Sequence, residues 1–182
     1  MATAQSRVTD MTRGDPVRLL LNFSAPLFLS NLLQQFYNLA DTALAGHILG
    51  DAALAQIGAT AALYGLIMNF AFGMNNGLAL TVSRLFGAGD DKGVRRATAW
   101  MLALAAATAA VLTVVFVGVR RPLLVLLQVP ESTMEGALAY LTLILLGIPL
   151  TMAYNMEAAL LRAIGNSLTP LYFLLCSTAL NI

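Results

Sequence analysis

The chain has 182 residues, 59% of them hydrophobic and only 10% charged, with a mean hydropathy of +0.78. Soluble domains carry about 25% charged residues, so this composition excludes an ordinary soluble domain and reads as an all-α integral membrane protein. Ten basic and nine acidic residues nearly cancel, which gives no footing for a nucleic-acid partner.

The first eighteen residues, with Arg7, Arg13 and Arg18, read as a cytoplasmic leader (1–18). The apolar run that follows, 19–49, far exceeds the roughly 7 to 15 residues of a signal-peptide core, so it is expected to remain as a true span. About twenty apolar residues at about 1.5 Å rise cross a hydrocarbon core of about 30 Å. By that measure the charge-poor windows are 19–49, 52–83, 97–119, 135–161 and 169–182, and the last is still apolar where the sequence stops. The connections carry turn chemistry: Gly50 with Asp51, the run Gly87 to Gly93, Pro130-Glu131-Ser132, and Gly165-Asn166-Ser167 followed by Pro170. With the N-terminus inside, Arg7, Arg13, Arg18, Arg84, Lys92, Arg95, Arg96 and Arg162 are cytoplasmic, and only Arg120 and Arg121 lie outside. Trp100 suits an interfacial anchor. Arg84-x-x-Gly87 and Arg162-x-x-Gly165 repeat one pattern, readable as two helix C-terminal caps or as the trace of a duplicated helix pair.

The first span holds an acid, Asp41, and a carboxylate at the centre of a membrane helix costs about 2.5 to 3.5 kcal/mol on insertion scales. At about 100° per residue, Ser30, Gln34, Tyr37 and Asp41 share a sector of about 60°. Asn31 and Asn38 flank this polar stripe, while Leu29, Phe36 and Ala43 point elsewhere. Asp41 falls about 33 Å from Leu19 along a straight helix, which is the outer interface. A bend at Pro26, where a backbone hydrogen bond is missing, would draw it inward. A water-exposed acid near the helix end is the competing reading.

The fourth span is a second polar locus, with Tyr140, Thr142, Thr151, Tyr154, Asn155 and Glu157 in a segment broken by Gly147 and Pro149. Tyr140 and Asn155 fall about 60° apart on an ideal helix, close enough to line one cavity. Glu157 and Arg162 read as an interfacial pair or as solvated charges. Ordinary hydrogen bonding between helices is the alternative for each amide and hydroxyl, Asn181 included. Ala105 to Ala107 and Gly73 to Gly77 favour close helix packing, and Cys176 reads as a small packed hydrophobe.

Nucleotide-binding glycine patterns are missing, and His47 has no partner at metal-ligand spacing. Nor does any serine, histidine and acid set indicate an enzyme.

Pro26, the stretch Gln34 to Thr42, the stretch Leu85 to Asp90, and the stretch Leu161 to Pro170 together resemble the successive signatures of the multidrug and toxic compound extrusion (MATE) transporters. The resemblance implies a fold of twelve helices in two six-helix lobes that exchanges cationic or amphipathic compounds against protons or sodium, with no other cofactor and no metal. It further implies Asp41 as the cation or proton site, Pro26 as the bend, and Gln34, Tyr37, Asn38, Tyr140, Asn155 and Asn181 as cavity residues. Family members usually carry an acid shortly after the position of Asn181, and this sequence ends before it. Five spans are also one short of a lobe, so the expectation is an incomplete N-terminal lobe (19–182) of a longer transporter in the bacterial inner membrane, lacking its C-terminal lobe and inactive alone. A lipid-linked precursor flippase of the same superfamily, whose anionic cargo calls for basic cavity residues, and a noncatalytic membrane interaction module are the alternatives.

Overall fold

The computed structural model describes residues 14–181, without the side chains of Leu49, Ala52, Leu180 and Asn181. Arg7 and Arg13 lie outside the described residues. Six helices run in order: α1 (Pro16–Leu49), α2 (Asp51–Gly87), α3 (Asp91–Leu126), α4 (Glu131–Leu146), α5 (Ile148–Ala163) and α6 (Leu168–Asn181), and no strand occurs among the described residues. α1, α2 and α3 are each long and apolar enough to cross a membrane. α4 and α5 pass the same test only together, as a pair bent by 42° at their break. The window 135–161 is therefore two helices, and α6 is a shorter apolar helix. The third element also outruns its charge-free window: helix continues through Arg120, Arg121 and Pro122 to Leu126. Charge ends the hydrocarbon-compatible stretch there without ending the helix.

Local chemistry fixes the ends. The Asp15 carboxylate accepts from the Val17 N–H at 3.0 Å, with Pro16 in the first turn of α1. Asp90 does the same for Gly93 at 2.9 Å, and a Cβ at Gly93 would lie 2.3 Å from that carboxylate. Three helices end in Schellman motifs, with left-handed backbone at Gly89, Gln128 and Gly165. The paired bonds are Asp90 N–H to Leu85 O with Gly89 N–H to Phe86 O, and the equivalents at Val129 with Gln128 and at Asn166 with Gly165. The Arg-x-x-Gly echo is thus only partial. Gly165 is the left-handed residue, whereas Gly87 is still helical and Gly89 takes that role. Asn166, buried, then accepts from the Thr169 N–H at 3.0 Å and starts α6.

α2 is the central helix, packed against α3, α4, α5 and α1. Leu63, Ile67 and Ala71 join Ala109, Leu141, Leu145 and Met152 in one core cluster, and Ala79 and Val82 join Met101, Ala105, Met156 and Ala159 in another. Alanine recurs because helices in lipid gain by close van der Waals approach rather than by apolar burial. Gly136 serves the same end, since the Gln56 side chain occupies the place where its Cβ would stand. Gly73 and Gly77 do not: among the described residues, a Cβ at either meets no atom within 4 Å, so they make no close helix contact in this lobe. Ala106 and Ala107 are likewise exposed, as is Cys176, which faces away from the bundle.

The α4–α5 break follows from Pro149. Proline has no N–H for the carbonyl one turn earlier, Leu145 O, and the Thr113 hydroxyl of α3 donates to that oxygen at 3.4 Å. On the other side of the break, the buried Asn75 of α2 donates from its amide to Met152 O at 3.4 Å. Two neighbouring helices thereby hold the bend.

Candidate functional site

None of the apolar window of α1 is buried, and the helix touches chiefly α2 and α6. A cavity of about 650 Å³ opens between α1, α2, α5 and α6. From α1 it is lined by Ser30, Asn31, Gln34, Gln35 and Asn38; from α2 by Tyr64, Asn69 and Phe72; and from α5 by Thr151, Tyr154, Asn155 and Arg162. Leu27, Met68 and Leu174 add apolar walls. α1 runs unbroken through Pro26, whose carbonyl accepts from the Ser30 hydroxyl at 2.8 Å. The pronounced break in the bundle lies at Gly147 rather than in α1.

The amides on α1 are held loosely. Gln34 donates to Asn38 and Asn38 to Gln35, both at 3.5 Å, where N–H···O bonds normally lie near about 2.9 Å. Such groups can turn toward a ligand at little cost. The α2 and α5 groups are more committed: Asn69 donates to Gly65 O at 2.8 Å and Thr151 to Gly147 O at 3.2 Å. Asn69 retains its amide oxygen as an acceptor, and the Tyr64, Tyr154 and Phe72 rings offer π faces to a cation or a flat apolar body. Tyr154 and Arg162 lie within electrostatic reach of each other.

Gln34, Asn38 and Asn155 thus line the large cavity. Tyr37 lines a smaller space of about 290 Å³ with Gln34, Thr151, Tyr154, Ser177 and Thr178. Asp41 is half-buried further along α1, lines neither space, is not an isolated charge, and lies within electrostatic reach of Tyr140. Tyr64 is within reach of the same Tyr140 ring. The structure therefore distributes the residues of the polar stripe over two levels: amides at the cavity, and Asp41 with Tyr37 and Tyr140 toward the other end. Asn181 is the last residue of α6, and its side chain lies outside the described residues.

Sequence reasoning missed Arg162 and the whole α2 wall. Glu157 and Arg162 form no ion pair; Glu157 borders a small separate pocket of about 110 Å³, while Arg162 reaches the main cavity. The signal was available in the spacing Thr151, Asn155, Ala158, Arg162, which is one face of a helix. Tyr64, Met68, Asn69 and Phe72 show the same periodicity on α2. Among the described residues, no group of three His, Cys, Asp or Glu side chains could hold a metal ion.

Helices of a membrane bundle that wall a polar cavity make the architecture of a membrane transporter. The MatE family model matches residues 26–182. The chain belongs to that family, whose members are transporters and not enzymes. It is 31% identical over 179 residues to the probable multidrug resistance protein YpnP of Bacillus subtilis (strain 168), covering 94% of this chain and 39% of that one. It is 27% identical over 184 residues to the probable multidrug resistance protein YoeA of the same organism, covering 100% of this chain and 40% of that one. The chain thus spans about two-fifths of the length of these relatives. The fold matches a multidrug resistance MATE family transporter of the MOP superfamily, solved in an outward-facing conformation, with TM-score 0.87 and 24% identity over 96% of this chain and 39% of that chain.

Proposed function

We propose that this chain is the incomplete N-terminal lobe of an antiporter that exports cationic or amphipathic compounds from the bacterial cell across the inner membrane, with its N-terminus cytoplasmic and Asp41 as the coupling site for protons or sodium. The observation that carries the reading is the polar face of α1: amides lining a cavity of about 650 Å³ and, on the same helix, a half-buried carboxylate beside Tyr37 and Tyr140. Ionised Asp41 favours a cation in the lobe. Protonation, or sodium held at the carboxylate, removes that field and weakens the hold on a cationic cargo. Within this lobe the apolar window of α1 has no buried residue and meets chiefly α2 and α6, so a change of charge at Asp41 acts on a helix outside the lobe's own packed core. Rocking against a second lobe would then complete the transport cycle. The family membership and the names of the Bacillus relatives support drug efflux as the activity.

The test is export of a fluorescent cation such as ethidium by the whole transporter carrying Asp41→Asn, driven separately by a proton and by a sodium gradient. Loss of gradient-driven export with the protein still in the membrane is the expected result. Undiminished export would refute the assignment.

One observation favours a second reading. Arg162 is the charged side chain lining the large cavity, and a cationic lining suits an anionic headgroup such as that of a lipid-linked precursor. Arg162→Gln separates the two: it should leave or raise export of a cationic drug, and should abolish handling of an anionic cargo.

A further inference from the structure

A second cavity lies away from the first, between α3 and α4. It has a volume of about 560 Å³ and is lined by Gly118, Arg120 and Arg121 of α3 and by Glu135 and Thr142 of α4. Between Trp100 and Arg120, α3 contains no charged residue, and that stretch measures about 30 Å at helical rise, the thickness of one hydrocarbon core. With Trp100, exposed, at one interface, Arg120 and Arg121 stand at the level of the lipid phosphates of the opposite leaflet.

The charges around this cavity are arranged for a ligand rather than for each other. Neither arginine forms an ion pair with Glu135, although all three line one space. Arg120 is half-buried and folds back along its own helix to donate to Val117 O. Pro122 has no N–H to give the carbonyl one turn earlier, so Gly118 O on the cavity wall loses its usual helical donor. The site therefore offers two guanidinium groups for an anion, and a carboxylate for a cation that can donate hydrogen bonds. Toward the membrane interior the lining faces of the two helices continue through Val114 and Leu143, which are 72% exposed, and Val111 and Leu146, 60% exposed, as an apolar track.

We infer that this cavity is a binding site for a phospholipid with a phosphoethanolamine headgroup. The phosphate is held by Arg120 and Arg121, the primary ammonium by Glu135, and the acyl chains run along the Val114–Leu143 track. A trimethylammonium headgroup cannot donate to Glu135. A glycerol headgroup brings no positive charge to offset it. Both should be discriminated against, and the preference does not depend on the transport reading above.

The test uses the 182-residue chain reconstituted into bilayer discs of equal parts phosphatidylethanolamine, phosphatidylglycerol and phosphatidylcholine, released, and weighed by native mass spectrometry with its retained lipids. The expected result is a preference for phosphatidylethanolamine of about tenfold over each of the other two lipids, the ratio that one charge-assisted hydrogen bond supplies. Arg120→Gln with Arg121→Gln should remove the retained lipid. Glu135→Gln, an exposed change that does not threaten folding, should keep a lipid but lose the preference over phosphatidylglycerol. Retention in the bulk ratio by the wild-type chain, unchanged enrichment in Glu135→Gln, displacement by millimolar inorganic phosphate, or a lipid-free dimer through this face would each overturn the inference.

Discussion

Asn75 offers the most direct check on how this bundle is held together, because its amide is fully buried yet only half satisfied. Its nitrogen donates to Met152 O at 3.4 Å, a long bond, and its oxygen has no partner. Hydrogen bonds between membrane helices contribute about 0.6 kcal/mol on average and at most about 1.7. An unsatisfied buried acceptor costs about 1 to 3 kcal/mol. The two terms oppose each other, and the cost is the larger. Asn75→Leu, close in volume, should therefore leave the bundle as stable or raise its stability by about 1 kcal/mol, roughly fivefold in the folding constant. Asn75→Ala removes the bond and leaves a void, and should lower stability instead. Both can be measured by reversible unfolding in mixed micelles of a mild detergent and dodecyl sulfate. A loss of more than about 2 kcal/mol in Asn75→Leu would refute the reasoning, because it would mean that the oxygen also has a partner in the membrane. A functional cost is expected even where stability rises. The tie to Met152 fixes the turn of α5 that carries Thr151 and Asn155 into the cavity, so export by the whole transporter should fall in Asn75→Leu.

Gly93→Ala should lower stability by about 1 kcal/mol despite the better helix propensity of alanine, since the new Cβ displaces the Asp90 cap; chemical denaturation of the pair Gly93→Ala and Asp90→Ala should show non-additive losses. Gln128→Gly should raise stability by about 1 kcal/mol, because Gln128 sits at φ 57 where a side chain is strained, and a rise in melting temperature is the readout. Thr113→Val removes the side-chain donor to Leu145 O and should cost about 0.6 kcal/mol, while widening the spread of α4–α5 angles seen by distance measurements between spin labels on the two helices.

Much of the fold was legible because lipid imposes simple rules on a sequence. Charge-poor windows predicted α1 and α2 closely, since backbone groups in hydrocarbon must be bonded within the segment. The turn at Gly165 and the start of α6 were legible because Gly, Asn and Pro each act locally. The α1 face was legible in part: of the stripe Ser30, Gln34, Tyr37 and Asp41, the first two line the large cavity together with the flanking Asn31 and Asn38, while Tyr37 and Asp41 do not. What could not be read was which surface each helix turns toward its neighbours. Gly73 and Gly77 look like a packing stripe and face open space, while the less conspicuous Gly136 is the glycine another side chain presses against. Arg162 looked like an interfacial charge near the helix end. Only the placement of α5 against α1 and α2 turns it into the cavity. Such facts depend on contacts between residues far apart in sequence, which periodicity within one helix does not encode.

The uneven distribution of packing has a consequence for how a site on α1 could work. α2, α3, α4 and α5 share two buried clusters, whereas the apolar window of α1 has no buried residue and the helix meets chiefly α2 and α6. Its ends are held by local chemistry, Asp15 at one and the Gly50 N–H bonded to Gly46 O at the other. Core packing is bistable and resists small displacements, so a helix outside the core is the element that a single change of charge can move. The polar residues of α1 are thus on a helix outside the buried clusters of this lobe, and the α5 residues opposite them are on the part fixed from two sides by Asn75 and Thr113. A cavity with one movable wall and one rigid wall can change shape around a ligand without disturbing the core. A disulfide or crosslink fixing α1 to α2 should therefore arrest export in the whole transporter, whereas one joining α2 to α5 should leave it intact; equal loss from both would show that α5 moves as well.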